Sequence, residues 1–116
     1  MSANLDNGVM LGALGSTYSR TATTIKPPTG MVIAAIQFLD ENLPTVLTAE
    51  NPDKFFNIGH AANDNPNSNG TTTVDEGIGG TTAAGVTYKG GITIYGRWTV
   101  FTPQASGQGV VCYFGY

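Results

Sequence analysis

Met31 to Leu39 is the stretch that most restricts what this chain can become. It is nine residues long and interrupted only by Gln37. A membrane helix needs roughly 20 apolar residues, so this run cannot span a bilayer. Taken as a strand, it carries Val32, Ala34, Ile36 and Phe38 on one face. Met31, Ile33, Ala35 and Leu39 stand with Gln37 on the other. Both faces are apolar, which is the pattern of a strand covered on both sides.

Two further runs share this character. Ile92 to Phe101 alternates, with Ile92, Ile94, Gly96, Trp98 and Val100 on the expected core face. Thr93, Tyr95, Arg97, Thr99 and Phe101 form the other face. Gly96 in mid-strand points to a bulge or a close approach by another group. Val110 to Phe114 is the last strand, with Val110, Cys112 and Phe114 on one side. Shorter extended segments are expected at Thr17–Ile25, Thr45–Glu50 and Val86–Lys89. Pro27-Pro28-Thr29-Gly30 reads as a turn. Asn51-Pro52-Asp53 is the one helix start, good for one or two turns before Gly59. Residues 61–84 form a long polar loop of Asn, Asp, Gly, Ser and Thr.

The composition agrees with strands. Charged residues make up 11% of the 116 residues, against about a quarter in an average soluble chain. Gly and Thr number sixteen each, and the Ala/Glu/Lys/Leu/Arg richness of a helical bundle is missing. We therefore expect one all-β domain: a small antiparallel β-sandwich or partly open barrel with long polar loops. Residues 1–25 are expected to be an extended N-terminal arm, with the β domain over 26–116.

The charge pattern restricts partners. A net charge of −3 with five scattered basic residues argues against a nucleic-acid surface. No membrane segment and no signal peptide is evident, because Asp6 stands where a positive residue would precede the short apolar stretch 8–15. The single cysteine, Cys112, forms no disulfide within the chain and reads as a buried, inert thiol.

Several motifs invite a chemical reading. Asn65, Asn67, Asn69, Gly70 and Glu76 match the spacing of a calcium-binding loop. Only Glu76 among them is a carboxylate and no helices flank the stretch, so we read the match as chance in an Asn-rich loop. Asn69-Gly70-Thr71 fits a glycosylation acceptor, unused without secretion. His60 is the only histidine, with no nucleophile assigned to it by the sequence. Asp40-Glu41 and Asp75-Glu76 read as solvated turns rather than paired acid–base carboxylates. Gly107-Gln108-Gly109 opens no helix and fails the dinucleotide pattern. No metal, cofactor or catalytic set is expected, and the chain reads as a non-enzyme.

The aromatic residues Tyr95, Trp98, Phe101, Tyr113 and Tyr116 are a different matter. Two strands that are apolar on both faces hold more apolar surface than one sheet face hides, which implies oligomerisation or docking. A stacking platform for sugars, built on Trp98 and Tyr95, is a rival use of the same residues.

Gly91-Ile92-Thr93-Ile94-Tyr95-Gly96-Arg97-Trp98-Thr99 and the terminal Gly109-Val110-Val111-Cys112-Tyr113-Phe114-Gly115 resemble small virion structural proteins of tailed phages. Thr24-Ile25-Lys26-Pro27-Pro28-Thr29-Gly30 and Val32-Ile33-Ala34-Ala35-Ile36-Gln37-Phe38-Leu39 carry the same resemblance. It covers roughly 21–50 and 86–116, with the middle similar only in character, and it brings no catalytic residues. It implies a particle component, and size and composition favour a capsid decoration or cement protein. The implied partners are the major capsid protein and the chain itself, as a homotrimer on the capsid surface. Tail, baseplate or fibre placement and a carbohydrate-binding module are the alternatives. The candidate interface residues are Val9, Met10, Leu11 and Tyr18 of the arm, with Tyr95, Arg97, Trp98 and Phe101 of the long strand.

Overall fold

The computed structural model describes residues 13–104 and 107–116. Seven strands follow in order: β1 (Ser16–Ser19), β2 (Val32–Phe38), β3 (Val46–Ala49), β4 (Val74–Asp75), β5 (Ile78–Gly79), β6 (Thr93–Thr102) and β7 (Val110–Gly115). Two single 3-10 turns, Ala62–Asp64 and Pro66–Ser68, lie between β3 and β4. Five strands form one antiparallel sheet in the order β1-β7-β2-β6-β3, and β4 and β5 form a separate hairpin. The fold is all-β. The sheet stays open and does not close into a barrel, since its edge strands β1 and β3 do not pair.

The apolar run read first from the sequence becomes the central strand β2, flanked by β7 and β6. Ile33, Ile36 and Phe38 join Leu47, Ala49, Trp98, Phe101, Val110, Cys112 and Phe114 in one buried cluster. Ile25 and Ile58 close that cluster, with Phe55, Phe56 and Tyr88 packed against it from the connecting segments. Ile25 pairs with Phe101 through two main-chain hydrogen bonds of 2.7 and 3.0 Å. Ile58 does the same with Leu47. The layer facing the sheet is thus mostly loops tied to strands, rather than a second sheet of equal size.

Several sequence expectations are corrected. Residues 16–25, assigned to the arm, belong to the domain: β1 pairs along its length with β7, and Ile25 is buried. Residues 1–12 lie outside the described residues. Val86–Lys89 forms no strand and contributes one bridge, Asn42 with Tyr88. Asn51-Pro52-Asp53 opens a single turn, held by Lys54 and Phe55 amides donating to the Asn51 carbonyl at 3.0 and 3.1 Å. The Asn51 side chain accepts from the Asp53 amide at 3.0 Å.

The strict alternation expected in the long strand fails for a specific reason. Thr48 faces Val100, yet the next residue, Ala49, faces Trp98. Thr99 is therefore an extra residue in β6, and a bulge of this kind turns the strand by one position. Phe101, expected on the face of Tyr95 and Arg97, joins Trp98 in the core instead, and both are 0% exposed. A second shift against β2 falls between Tyr95 and Trp98, where the sequence flagged Gly96. A Cβ at Gly96 would stand 2.7 Å from two atoms of the Trp98 ring, so the glycine makes room for the indole.

The polar segment 61–84 is also more ordered than its composition suggests. Asparagine side chains replace missing main-chain partners. Asn57 Nδ2 donates to the Asp64 carbonyl at 2.8 Å, and Asn65 Nδ2 to His60 at 3.0 Å. Asn67 Nδ2 donates to both Asp53 and Gly77, at 3.0 and 2.6 Å. The β4–β5 hairpin turns on Glu76 and Gly77, with φ of 53° and 82°. Two positive φ values are the requirement of the tight I′ turn.

Candidate functional site

The face of the sheet opposite the core has no layer of strands or helices over it among the described residues. Register defines what it carries, because directly opposed residues in neighbouring strands point the same way. Ser16, Tyr113, Ala35 and Tyr95 form one row across β1, β7, β2 and β6. Tyr18, Val111, Gln37 and Thr93 form the next. With strands about 4.8 Å apart, each row runs about 14 Å. Tyr18 is 57% and Tyr95 70% exposed, while Tyr113 is half-buried. The Tyr113 hydroxyl donates to Gln37 Oε1 at 3.2 Å, which fixes that ring between the rows.

Arg97 stands at the end of this face in a closed set of bonds. Its Nε and Nη2 donate to Glu50 Oε1 and Oε2 at 2.8 and 3.3 Å, and Nη1 donates to the Tyr116 carbonyl at 2.7 Å. The guanidinium hydrogen bond holds the Glu50 carboxyl below its usual range, and the same bond raises Arg97. The pair is partly exposed. Its work is to join β6, the residue after β3 and Tyr116.

The eight candidate interface residues thus fall into three groups. Tyr18 and Tyr95 lie on the uncovered face, and Arg97 is engaged at its margin. Trp98 and Phe101 are core residues and present nothing to a partner; Trp98 lies on the face expected to be core, and the Thr99 bulge brings Phe101 to join it. Trp98 is held further by its indole N–H, which donates to the Phe56 carbonyl at 3.2 Å. This also removes Trp98 from any sugar-stacking platform. Val9, Met10 and Leu11 lie outside the described residues.

The other motifs resolve simply. The calcium-like spacing does not converge on a site. Asn65 and Asn67 spend their amides on main-chain carbonyls. Asn69 Oδ1 accepts from the Thr71 amide at 3.0 Å, and Glu76 sits exposed at the hairpin tip. Asn65 Oδ1 is buried without a partner, but it has no carboxylate companions. Among the described residues no three His, Cys, Asp or Glu side chains are grouped to hold a metal ion. His60 Nε2 shares a hydrogen bond with Thr48 Oγ1 at 2.8 Å. Asp40 Oδ2 accepts from the Gly109 amide at 3.0 Å and so ties the last loop to β2. Burial pushes the Cys112 thiol up to about 12.

Two features escaped the sequence reading. Asn42 is fully buried; its Oδ1 accepts from the Gln104 amide at 3.0 Å, and Gln104 Oε1 accepts from Leu43 at 2.8 Å. The other is an open cleft of about 300 Å³ bordered by Phe56, Asn67, Ser68, Thr81, Thr82, Ala83, Val86 and Tyr88. No local pattern signals it, because its walls come from three separate segments.

No helix among the described residues is long and apolar enough to cross a membrane. The chain matches no protein-family profile, no curated protein and no solved structure.

Proposed function

We propose that this chain is a structural component of a phage particle that docks on the capsid surface through the uncovered face of its sheet. The observation that carries the reading is the pair of rows bearing Tyr18, Tyr113 and Tyr95 on four hydrogen-bonded strands. Tyrosine offers a large amphipathic contact at low cost in side-chain entropy, and it is enriched where proteins meet. A rigid sheet lowers that cost further. Among the described residues no strand pairs with the outer edge of β1, and such an edge gives a second contact, because it can accept a strand from a neighbouring chain. The resemblance in 21–50 and 86–116 supplies the setting. The partner is the major capsid protein, the assembled form a homotrimer, and the role that of a decoration or cement protein.

Such docking joins uncharged surfaces, so it depends weakly on salt. The test is co-sedimentation with purified phage heads, followed by electron microscopy to place the density. The protein should bind expanded heads and not procapsids. Tyr18→Ala with Tyr95→Ala should weaken binding by about tenfold or more, since truncating interface anchors costs above roughly 1 kcal/mol each. Both side chains are exposed, so the variant should melt as the parent does. Absence of binding to expanded heads, or a double variant that binds as the parent does, overturns the reading.

A further inference from the structure

The cleft lies on the opposite side of the molecule's core from the tyrosine rows, and its lining has a definite chemistry. Phe56 and Tyr88, both packed against the core cluster, supply aromatic surface. Their rings are fixed in advance. Tyr88 stacks on the buried Phe38 with centroids 4.8 Å apart and planes 4° from parallel. Its main chain is bonded twice to Asn42, at 2.7 and 2.8 Å. Phe56 meets the Trp98 ring edge-on at 5.8 Å, and its carbonyl is pinned by the indole N–H. Asn67, Ser68, Thr81 and Thr82 complete the polar part of the wall.

The hydrogen-bonding state of that wall narrows the ligand. The hydroxyls of Thr81, Thr82 and Tyr88 have no partner among the described residues. Asn67 has committed Nδ2 to two carbonyls, which leaves Oδ1 as an acceptor. Ser68 Oγ donates to the Asn57 carbonyl at 3.4 Å and keeps its acceptor capacity. No charged side chain borders the cleft, so it offers nothing to a phosphate, a carboxylate or an ammonium group. Most of the exposed lining is apolar, and a ligand that also meets these hydroxyls replaces the bonds of the water it displaces from them.

We propose that this cleft binds a neutral sugar ring, a hexose or N-acetylhexosamine unit of a glycan. Such a ring offers an apolar C–H face to Phe56 and Tyr88 and hydroxyls that both donate and accept along the threonine–asparagine wall. The volume is at the lower end of small-ligand sites, which suits one ring, and the open mouth lets a longer glycan continue outward. A ligand of this size in an open cleft binds in the millimolar range. The site is distinct from the docking face, and its failure would leave that reading untouched.

The test is an amide-resolved NMR titration of the whole chain. The probes are the methyl glycosides of glucose, galactose, mannose and N-acetylglucosamine, and soluble oligosaccharides of each. The expected result is saturable shifts at Phe56, Asn67, Ser68, Thr81–Val86 and Tyr88 for at least one probe. Tyr88→Phe keeps the stack on Phe38 and drops only the hydroxyl; Thr82→Ala removes an exposed hydroxyl. Each should weaken binding by about three- to tenfold, the range of a single hydrogen bond, with the melting temperature kept. Thr82→Trp should fill the cleft and abolish binding. Tighter binding by an oligosaccharide than by its glycoside identifies a glycan chain as the source; equal binding identifies a free sugar. The proposal is overturned if no probe gives saturable shifts up to concentrations on the order of 100 mM. It is equally overturned if indole shifts these amides while no sugar does, or if Thr82→Trp binds as the parent does.

Discussion

Gly96→Ala is a sharp test of the packing that sets the two faces of the sheet. A Cβ at this position would stand 2.7 Å from both Cη2 and Cζ2 of Trp98 and 3.0 Å from Cζ3. Carbon atoms in favourable contact lie about 3.5–4.0 Å apart, so the overlap is close to 1 Å at two ring atoms. The indole cannot swing aside: it is fully buried, bonded to the Phe56 carbonyl, and met edge-on by Phe55 and Phe56 at 6.5 and 5.8 Å. Overpacking of a filled core costs about 1–3 kcal/mol. Replacing a strand glycine returns about 0.5–1 kcal/mol through the unfolded chain. The net loss should be about 1–2 kcal/mol, or a fall in Tm of about 4–8 °C for a domain of this size. Trp98 is the only tryptophan, so its fluorescence during urea unfolding reports the loss directly. In a Trp98→Phe background, followed by circular dichroism, the smaller ring no longer reaches the added methyl. There Gly96→Ala should cost less than about 0.5 kcal/mol, and the coupling should carry the difference. The reasoning is refuted if Gly96→Ala leaves Tm unchanged, or if its cost is the same in both backgrounds.

The remaining predictions concern single contacts. Glu76→Asn should raise stability by about 0.5–1 kcal/mol in urea titration, because asparagine tolerates the left-handed φ that this turn imposes on a glutamate. Glu50→Gln should lower stability at neutral pH. The Arg97 bond lowers the Glu50 pKa in the folded chain, so its contribution is present above the unfolded value of about 4.3 and fades as pH falls through the folded value. The gap in urea midpoint between parent and Glu50→Gln should therefore close in acid; a gap that persists there rules out the pair as its source. Cys112, with its thiol raised to about 12, should resist an aromatic disulfide reagent near pH 8 in the folded chain and react at once in urea. Because the folded thiol value is raised, that contribution is intact below the unfolded thiol value of about 8.5 and is lost as pH rises towards the folded one. Fast labelling of the native chain would show that Cys112 is not sealed in the core.

The sequence disclosed the centre of this fold and little of its periphery. Met31–Leu39, Ile92–Phe101 and Val110–Phe114 are legible because burial on a strand leaves a local mark, a run or an alternation of apolar residues. They become β2, β6 and β7. β1 left no such mark. Its residues are Ser, Thr, Tyr and Ser, and their strand character comes from pairing with β7, far along the chain. The Thr99 bulge was invisible for a related reason: only the register against β3 shows that β6 holds one residue too many. Two large aromatics three positions apart, Trp98 and Phe101, were the one local hint, since strict alternation would separate them. In sequence, Asn57 falls in the short turn before Gly59, and Asn65, Asn67 and Asn69 register only as composition of the loop 61–84. Their use as donors to specific carbonyls depends on which carbonyls the folded chain leaves unpaired.

The tyrosine rows and the cleft differ in what each needs in order to make contact. Sixteen glycines, sixteen threonines and few charges would ordinarily leave a sheet face prone to self-association. Here the rows alternate large and polar groups. Ser16, Gln37 and Thr93 interleave with Tyr18, Tyr113 and Tyr95, and Gln37 takes the Tyr113 hydroxyl. A face broken up in this way gives weak contact to any single surface. It gives durable contact when several copies meet a repeating one, because linked weak contacts multiply. The cleft, by contrast, is complete within one chain and needs no repetition to act. On the docking proposed above, a trimer on a regular shell would draw on the tyrosine rows of every copy, whereas each copy would keep its own cleft. Dissociating the assembly should abolish shell binding and leave sugar binding per chain unchanged.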